Sequence, residues 1–170
     1  MNIKKIISTV SLLLAVTVFV SAQRIAVVDV TALLEDLPEY QKAQEQLDKV
    51  ATSWRQEIAQ EQDKVKGMYR KYQAEQVLLS EEMKKTREDE IMNKEKEVRD
   101  MQKEKFGPEG ELFKRRQSLV RPIQDKVYAA IEAYAQERGY DFIFDRSGSS
   151  GMIFTNPEFD KTEDILKRLK

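Results

Sequence analysis

Apolar residues recur every seven positions through a long central stretch of the chain, from about residue 39 to residue 138. The first half of the repeat shifts once by four positions and runs through Tyr40, Leu47, Trp54, Ile58, Val65, Tyr72 and Leu79. A sustained heptad is typical of coiled-coil helices, and a four-residue shift changes the supercoil locally without ending the helix. The pattern therefore predicts long helices that pack along an apolar seam.

The pattern also predicts where the chain reverses. Ser80 can cap a helix with its hydroxyl, and Glu81 and Glu82 follow in the first turn, where the helix dipole favours acids. In an antiparallel hairpin turning there, facing residues have numbers that sum to about 160, so Phe106 should face Trp54. We expect two arms of about 40 residues each, about 60 Å long.

Breaks in the returning helix are predicted at two places. The segment Gly107-Pro108-Glu109-Gly110 interrupts the apolar pattern, which then resumes through Phe113, Val120, Val127 and Tyr134. Proline in a helix interior removes a hydrogen bond and bends the helix, so Pro122 should produce a kink. We interpret Pro122, Gly107, Pro108 and Gly110 as hinge or kink residues.

Short strands are predicted near both ends of the chain. Arg24–Val30 is β-branched and apolar, and Tyr140–Asp145 alternates aromatic and other residues. The glycine- and serine-rich residues 147–151 predict a hairpin loop leading to a third strand, Gly151–Thr155. Thr31–Leu37 predicts a helical turn ended by Pro38, and Asp160 or Thr162 could cap a last short helix.

These elements predict an α+β fold in which a long antiparallel helical hairpin projects from a small β body. We expect one domain over residues 23–170, with the body at 23–40 and 120–170 and the arm at 41–119. Three short strands cannot bury a core alone, so an oligomer that pools its strands is expected. The predicted oligomer core comprises Ile25, Val27, Phe142, Ile143, Phe144 and Ile153.

Residues 1–22 have the pattern of a secretory signal peptide. Lys4 and Lys5 precede an apolar stretch from Ile6 to Val20, and cleavage is expected after Ala22. The alternative is an uncleaved membrane anchor, but the apolar stretch is shorter than the roughly 20 residues of a spanning helix and contains Ser and Thr. We therefore expect an exported protein.

The amino-acid composition excludes most types of catalytic site. The chain contains no Cys and no His, which excludes cysteine nucleophiles, Ser-His-Asp triads and zinc sites of His or Cys. Carboxylate chemistry and Ca²⁺ binding stay formally open, but we expect no enzyme activity, cofactor or metal. The net charge of −1, which becomes −3 without Lys4 and Lys5, does not favour nucleic-acid binding.

The sequence resembles the Skp (OmpH) family of periplasmic chaperones over essentially its whole length after residue 22. The signal peptide, RIAVVDV at 24–30, the charged hairpin, and DKTEDILKRL at 160–169 all carry the resemblance. Its most specific part is LVRPIQDKVYAAIEAYAQERGYDFIFD, residues 119–145. The resemblance implies a homotrimer with a central strand body and three arms that hold unfolded outer-membrane proteins between them.

Two features depart from the best-known members of that family. Those members are strongly basic, whereas residues 64–105 of this chain hold 12 basic and 10 acidic residues. The Gly107–Gly110 interruption is not a required feature of the family either. Any contact with lipopolysaccharide or a membrane surface is therefore expected to be weak.

Candidate contact residues lie on the distal arm. Met and aromatic side chains suit promiscuous contact, so we predict client binding by Met68, Tyr69, Leu78 and Met92. Packing in the seam is the alternative interpretation of these residues. A basic stretch, Lys64, Lys66, Arg70 and Lys71, could attract acidic clients or anionic lipid headgroups, or could be a solvated helix face.

Two functions fit these expectations. The first is an ATP-independent periplasmic holdase, since no glycine-rich phosphate-binding loop is present and apolar contact with confinement needs no catalysis. The second is a structural or adaptor coiled coil of the cell envelope. A holdase should bind diverse unfolded β-barrel proteins, whereas an adaptor should bind one folded partner.

Overall fold

A computed structural model describes residues 23–148 and 151–170 of the chain. The elements follow in the order β1 (Ile25–Val28), α1 (Val30–Glu35), α2 (Pro38–Glu75), α3 (Glu81–Phe106), α4 (Glu111–Arg138), β2 (Phe142–Asp145), a 3₁₀ turn (Pro157–Phe159) and α5 (Thr162–Leu169). The predicted signal peptide and its cleavage site lie outside the described residues. The described residues are mostly helical and contain one small pair of strands.

The long helical hairpin is confirmed. Helix α2 begins with Pro38 in its first turn and ends at Glu75, and the Ser80 hydroxyl accepts a hydrogen bond from the Met83 amide (3.3 Å) at the start of α3. The apolar seam is thin. Its buried members on the three helices are Ala43, Leu47, Ala51, Ile58, Ile91, Val98, Val120, Val127 and Tyr134.

The two strands pair in parallel, with Ile25 opposite Phe142 and Val28 opposite Asp145. The prediction of a third strand at Gly151–Thr155 was wrong, since residues 151–156 form no strand. An apolar alternation shows that a segment favours the extended state but does not identify its partner. Here β2 pairs with the distant β1, and the amide of Lys161 bonds the carbonyl of Val27 (2.9 Å).

A compact core ties the strands to the helices at one end of the hairpin. Nine buried side chains form it: Val28, Val30, Leu33, Leu34, Leu37, Val127, Tyr134, Ile165 and Leu169. Burial raises the pKa of Tyr134 to about 12, together with the hydrogen bond from its hydroxyl to the Asp164 carboxylate (3.0 Å). This body holds both ends of the hairpin, so the arm projects from a fixed base.

The predicted break in the returning helix is confirmed, and it requires glycine. A Cβ on Gly107 would lie 2.4 Å from the Lys103 carbonyl oxygen, and one on Gly110 would lie 2.7 Å from that of Glu104. Helix α4, in contrast, continues through the exposed Pro122 without ending. Flexing at either place stays a prediction.

Candidate functional site

The arm helices are joined by polar contacts as well as by the seam. Glu61, with a side chain only 15% exposed, forms salt bridges with Lys64 (2.5 Å) and with Lys94 on α3 (2.9 Å). The contact with Lys64, and after it the contact with Lys94, lowers the pKa of Glu61. The contact with Glu61 in turn raises the pKa of Lys94. Charge therefore helps to fix the register of the hairpin.

Two tyrosines make a second set of bonds across the hairpin. The Tyr69 hydroxyl donates to Glu95 (3.0 Å), and the Tyr72 hydroxyl donates to Glu88. These carboxylate acceptors raise the pKa of both phenols. Tyr69 nevertheless stays 41% exposed, so its ring is available at the surface.

The four predicted contact residues do not converge on one place. Leu78 is 88% exposed in the turn at the tip, beside Val77. Met92 is exposed on α3, three positions before the Glu95 that binds Tyr69. Met68 is half-buried and lines a cavity of about 50 Å³ between the helices, where seam packing is its observed role.

The sequence interpretation missed several exposed apolar side chains. Phe113, which the heptad pattern placed on the seam, is exposed, while Leu112 and Leu119 pack there instead. The next members of the same heptad, Val120, Val127 and Tyr134, are buried as predicted, so the pattern fails only at the first turn of α4. The other exposed apolar residues outside the predicted contact set are Val77 and Met83 on the arm and Tyr128 on the part of α4 that belongs to the body.

The predicted basic stretch is partly neutralised. Lys64 pairs with Glu61, and Lys66 pairs with Asp63 (2.9 Å), whose pKa is lowered by that hydrogen bond. Arg70 and Lys71 form no salt bridge with any described residue. The stretch therefore offers two free cations rather than four.

The predicted contact of Trp54 with Phe106 is confirmed. Their rings meet edge to face, with centroids 6.1 Å apart, opposite the break in the returning helix. The cations of Lys105 and Arg115 lie 5.1 and 5.4 Å from the Trp54 ring centroid. Aromatic and cation–π contacts thus replace the interrupted seam at this junction.

The body carries exposed apolar side chains on its strands. Phe142 and Phe144 stack on each other with centroids 6.2 Å apart and are 50% and 43% exposed. Ile25 and Ile153, also predicted for the oligomer core, are exposed as well. Val27 is buried within its own chain, and Ile143 packs against the body core.

Residues 23–148 and 151–170 contain no group of three or more acidic side chains placed to hold a metal ion. Within the same ranges, no helix combines the length and apolarity that a membrane span requires.

Comparison with known proteins agrees with this architecture. The sequence profile of the family described as outer membrane protein (OmpH-like) matches residues 24–169. The chain is 24% identical to chaperone protein Skp of Yersinia enterocolitica, covering 96% of each chain. It is 25% identical to chaperone protein Skp of Pectobacterium atrosepticum, covering 88% of this chain and 87% of the relative.

A solved structure shows the same fold. It is the crystal structure of a protein described as an outer membrane chaperone (OmpH-like) from Caulobacter crescentus. That structure superposes with a TM-score of 0.68 at 11% identity, covering 88% of this chain and 85% of the other. With the profile match over nearly all of the described residues, the chain belongs to the Skp (OmpH-like) family, as its sequence resemblance predicted.

Proposed function

We propose that this protein is a periplasmic holdase chaperone that binds unfolded outer-membrane proteins beside its arms and keeps them from aggregating without ATP. The observation that carries the proposal is the arm itself, in which α2 alone spans 38 residues, or about 57 Å. Its surface leaves Tyr69, Leu78 and Met92 exposed. Many weak apolar contacts along such a length suit unfolded chains of varied sequence.

The body supports the proposal of a homotrimer. A pair of four-residue strands is marginal alone, and its outer face exposes Phe142 and Phe144 together with Ile25. Pooling these strands would cover the patch and place three arms around a shared space. In this proposal residues 23–40 and 120–170 form the body and residues 41–119 form the arm.

Export to the periplasm belongs to the same proposal. The relatives carry the name chaperone, and the pattern of residues 1–22 predicts cleavage after Ala22. No nucleotide is required, because holding a client depends on contact and confinement only.

The decisive experiment is an aggregation assay with residues 23–170 and a transmembrane β-barrel protein diluted from urea. We expect a stoichiometric amount of trimer to suppress light scattering without nucleotide, for several unrelated barrel proteins. Serum albumin at the same mass concentration is the control for non-specific protection. Failure to protect any barrel protein, with tight binding of one folded partner instead, would identify an envelope adaptor.

A further inference from the structure

An open groove runs along the outer face of α2 at the base of the arm, and its charge is acidic. The groove has a volume of about 890 Å³, and its charged lining residues are Glu35, Glu45, Asp48 and Lys49. Lys49, the one cation among these lining residues, is bound by Glu45 at 2.5 Å. Glu35 and Asp48 are exposed and form no salt bridge with any described residue. This surface, the α2 groove, therefore presents carboxylates that lack a cation.

Helix α4 presents the opposite charge. Residues 112–124 contain four cations and no acid. Arg115 lies over the Trp54 ring, 5.4 Å from its centroid. The other three cations are exposed and form no salt bridge with any described residue: Lys114, Arg116 and Arg121. Lys114 and Arg121 lie seven positions apart, about two helical turns, so they share one face, which we call the α4 stripe.

The groove and the stripe lie at the same level of the arm. Lys126 on α4 pairs with Glu39 on α2 at 2.8 Å, which fixes how the two helices are aligned. Counting from this pair in the antiparallel direction, Arg121 is level with position 44, about one turn from Asp48. When two copies of the chain point their arms in the same direction, the stripe of one copy is therefore level with the groove of the next.

The two surfaces also tilt toward one side of the helix pair. Successive residues of a helix are rotated by about 100°, so Asp48 lies about 180° around α2 from Glu39. Arg121 lies about 140° around α4 from Lys126. Because the Lys126–Glu39 pair closes one side of the two helices, Asp48 and Arg121 both turn toward the other side. Surfaces tilted in this way make a wedge, and wedges joined head to tail close into a ring.

We propose that the α2 groove is a docking surface for a second copy of this chain, whose α4 stripe lies in it with Arg121 paired to Asp48. This inference rests on the homotrimer of the proposed function and adds to it a contact between neighbouring arms. An exposed charge pair contributes little to stability. The strands therefore hold the trimer together, and the new contact sets the spacing of the arm bases around the shared space.

An anionic lipid headgroup is the alternative partner of the α4 stripe. It would neutralise Lys114 and Arg121, but it would leave the carboxylates of the α2 groove at the same level without a cation. A second copy supplies both signs of charge at matched levels, so one partner satisfies both surfaces. Charge complementarity of this kind fixes the register of an interface.

Disulfide trapping tests the contact, because the chain contains no cysteine of its own. Asp48→Cys and Arg121→Cys are combined in the exported chain, residues 23–170. The two positions lie on the far sides of helices whose axes are about 8–10 Å apart, beyond the roughly 7 Å between Cα atoms that a disulfide allows. A bridge must therefore join two copies, and oxidation with copper phenanthroline should yield covalent dimers and trimers on a non-reducing gel.

The matched control moves one cysteine out of level. Glu132 is exposed and lies eleven positions after Arg121, about 16 Å along α4 and on the same face. Asp48→Cys combined with Glu132→Cys should give at least fivefold less covalent product than the level pair. Each single cysteine variant should give no more product than this control.

An exchange of charges tests the electrostatic part of the contact. The reporter is a second level pair, Thr52→Cys with Lys114→Cys. Adding Asp48→Arg or Arg121→Asp alone should slow disulfide formation at least fivefold, and adding both together should restore the rate to within twofold. Sedimentation should show trimers for all these variants, since the strands hold the assembly.

The outcomes separate this inference from the function on which it rests. If the wild-type protein sediments as a folded monomer, the homotrimer and the contact are both wrong. If it is a trimer that protects unfolded β-barrel proteins, but the level and control pairs are trapped equally, only the contact is wrong. If Arg121→Asp abolishes binding to phosphatidylglycerol vesicles and leaves the trapping rate unchanged, the α4 stripe is a lipid-binding surface instead.

Discussion

Glu61 is the residue at which the two helices of the arm are most closely joined by charge. Its carboxylate is flanked by Lys64 on its own helix and by Lys94 on α3, and these contacts lower its pKa below the ordinary value of 4.5. A carboxyl with a depressed pKa in the folded state adds stability above its unfolded pKa. That contribution is lost as pH falls through the folded pKa.

Substitution of Glu61 by Gln should therefore lower stability at pH 7 and have a much smaller effect at about pH 2, because protonation of Glu61 removes its contribution. Urea unfolding followed by circular dichroism, at one protein concentration, measures the difference. Asp48→Asn is the control, since Asp48 forms no salt bridge with the described residues and its substitution should change little at either pH. An equal effect of Glu61→Gln at both pH values would contradict the assigned role of charge.

At the scale of single elements, the hairpin could be predicted because its signals are local. Ser80 and the two acids after it define a helix start, and counting from that turn placed Phe106 opposite Trp54. The third strand and the seam position of Phe113 could not be predicted in the same way. Strand pairing depends on a partner more than a hundred residues away. At the first turn of α4, Leu112 packs against the seam in place of Phe113, although Val120 and Val127 of the same heptad are buried as predicted.

Glycine substitutions test whether the Gly107–Gly110 turn is rigidly specified. A Cβ at Gly110 would lie 2.7 Å from the Glu104 carbonyl oxygen and 2.9 Å from the Gly107 amide nitrogen, so Gly110→Ala should destabilise the protein by about 2 kcal/mol. Gly67 lies inside α2 with nothing within 4 Å of its Cβ position, so Gly67→Ala should stabilise it by about 1 kcal/mol. Opposite shifts of the urea midpoint are expected, and two shifts of the same sign would contradict this account.

Removal of the distal hairpin tests whether the arm is a separable element. Deleting residues 64–99 joins α2 to α3 where the two helices face each other, and the body core lies entirely outside the deletion. We expect a folded oligomer that no longer suppresses aggregation of an unfolded β-barrel protein. Light scattering and sedimentation are measured on the same sample, and full protection by the shortened protein would show that the distal arm is dispensable.

At the scale of the whole molecule, assembly should depend on the outer face of the strands. Phe142 is half exposed beside Phe144, whereas Ile143 faces the core of its own chain. Phe142→Asp should therefore dissociate the proposed trimer and leave the chain helical, because a buried unpaired charge is costly only in the assembled state. Tyr128→Asp, a similarly exposed aromatic on α4, is the control and should keep the wild-type sedimentation coefficient. A folded wild-type monomer at micromolar concentration would refute the proposed trimer.

Client recognition by the whole molecule should depend more on apolar contact than on charge. Residues 64–105 carry an excess of only two positive charges, and Lys64 and Lys66 are already paired. Exposed charge pairs contribute about 1 kcal/mol at most, and salt screens them over about 10 Å at 0.1 M. Raising salt from about 50 to about 500 mM should therefore weaken client binding only a few-fold.

Replacement of Tyr69, Leu78 and Met92 by Ser should weaken binding more than that salt change, because each of the three presents exposed apolar surface. Fluorescence titration with a labelled, unfolded β-barrel protein compares wild type and variant at both salt concentrations. Arg70→Gln together with Lys71→Gln is the matched control, since these two cations form no salt bridge with the described residues. If affinity falls steeply with salt and in this control, while the three serine substitutions have no effect, then the free cations of α2 carry recognition. In that case the long arm would bind acidic clients by electrostatic attraction rather than through apolar contacts.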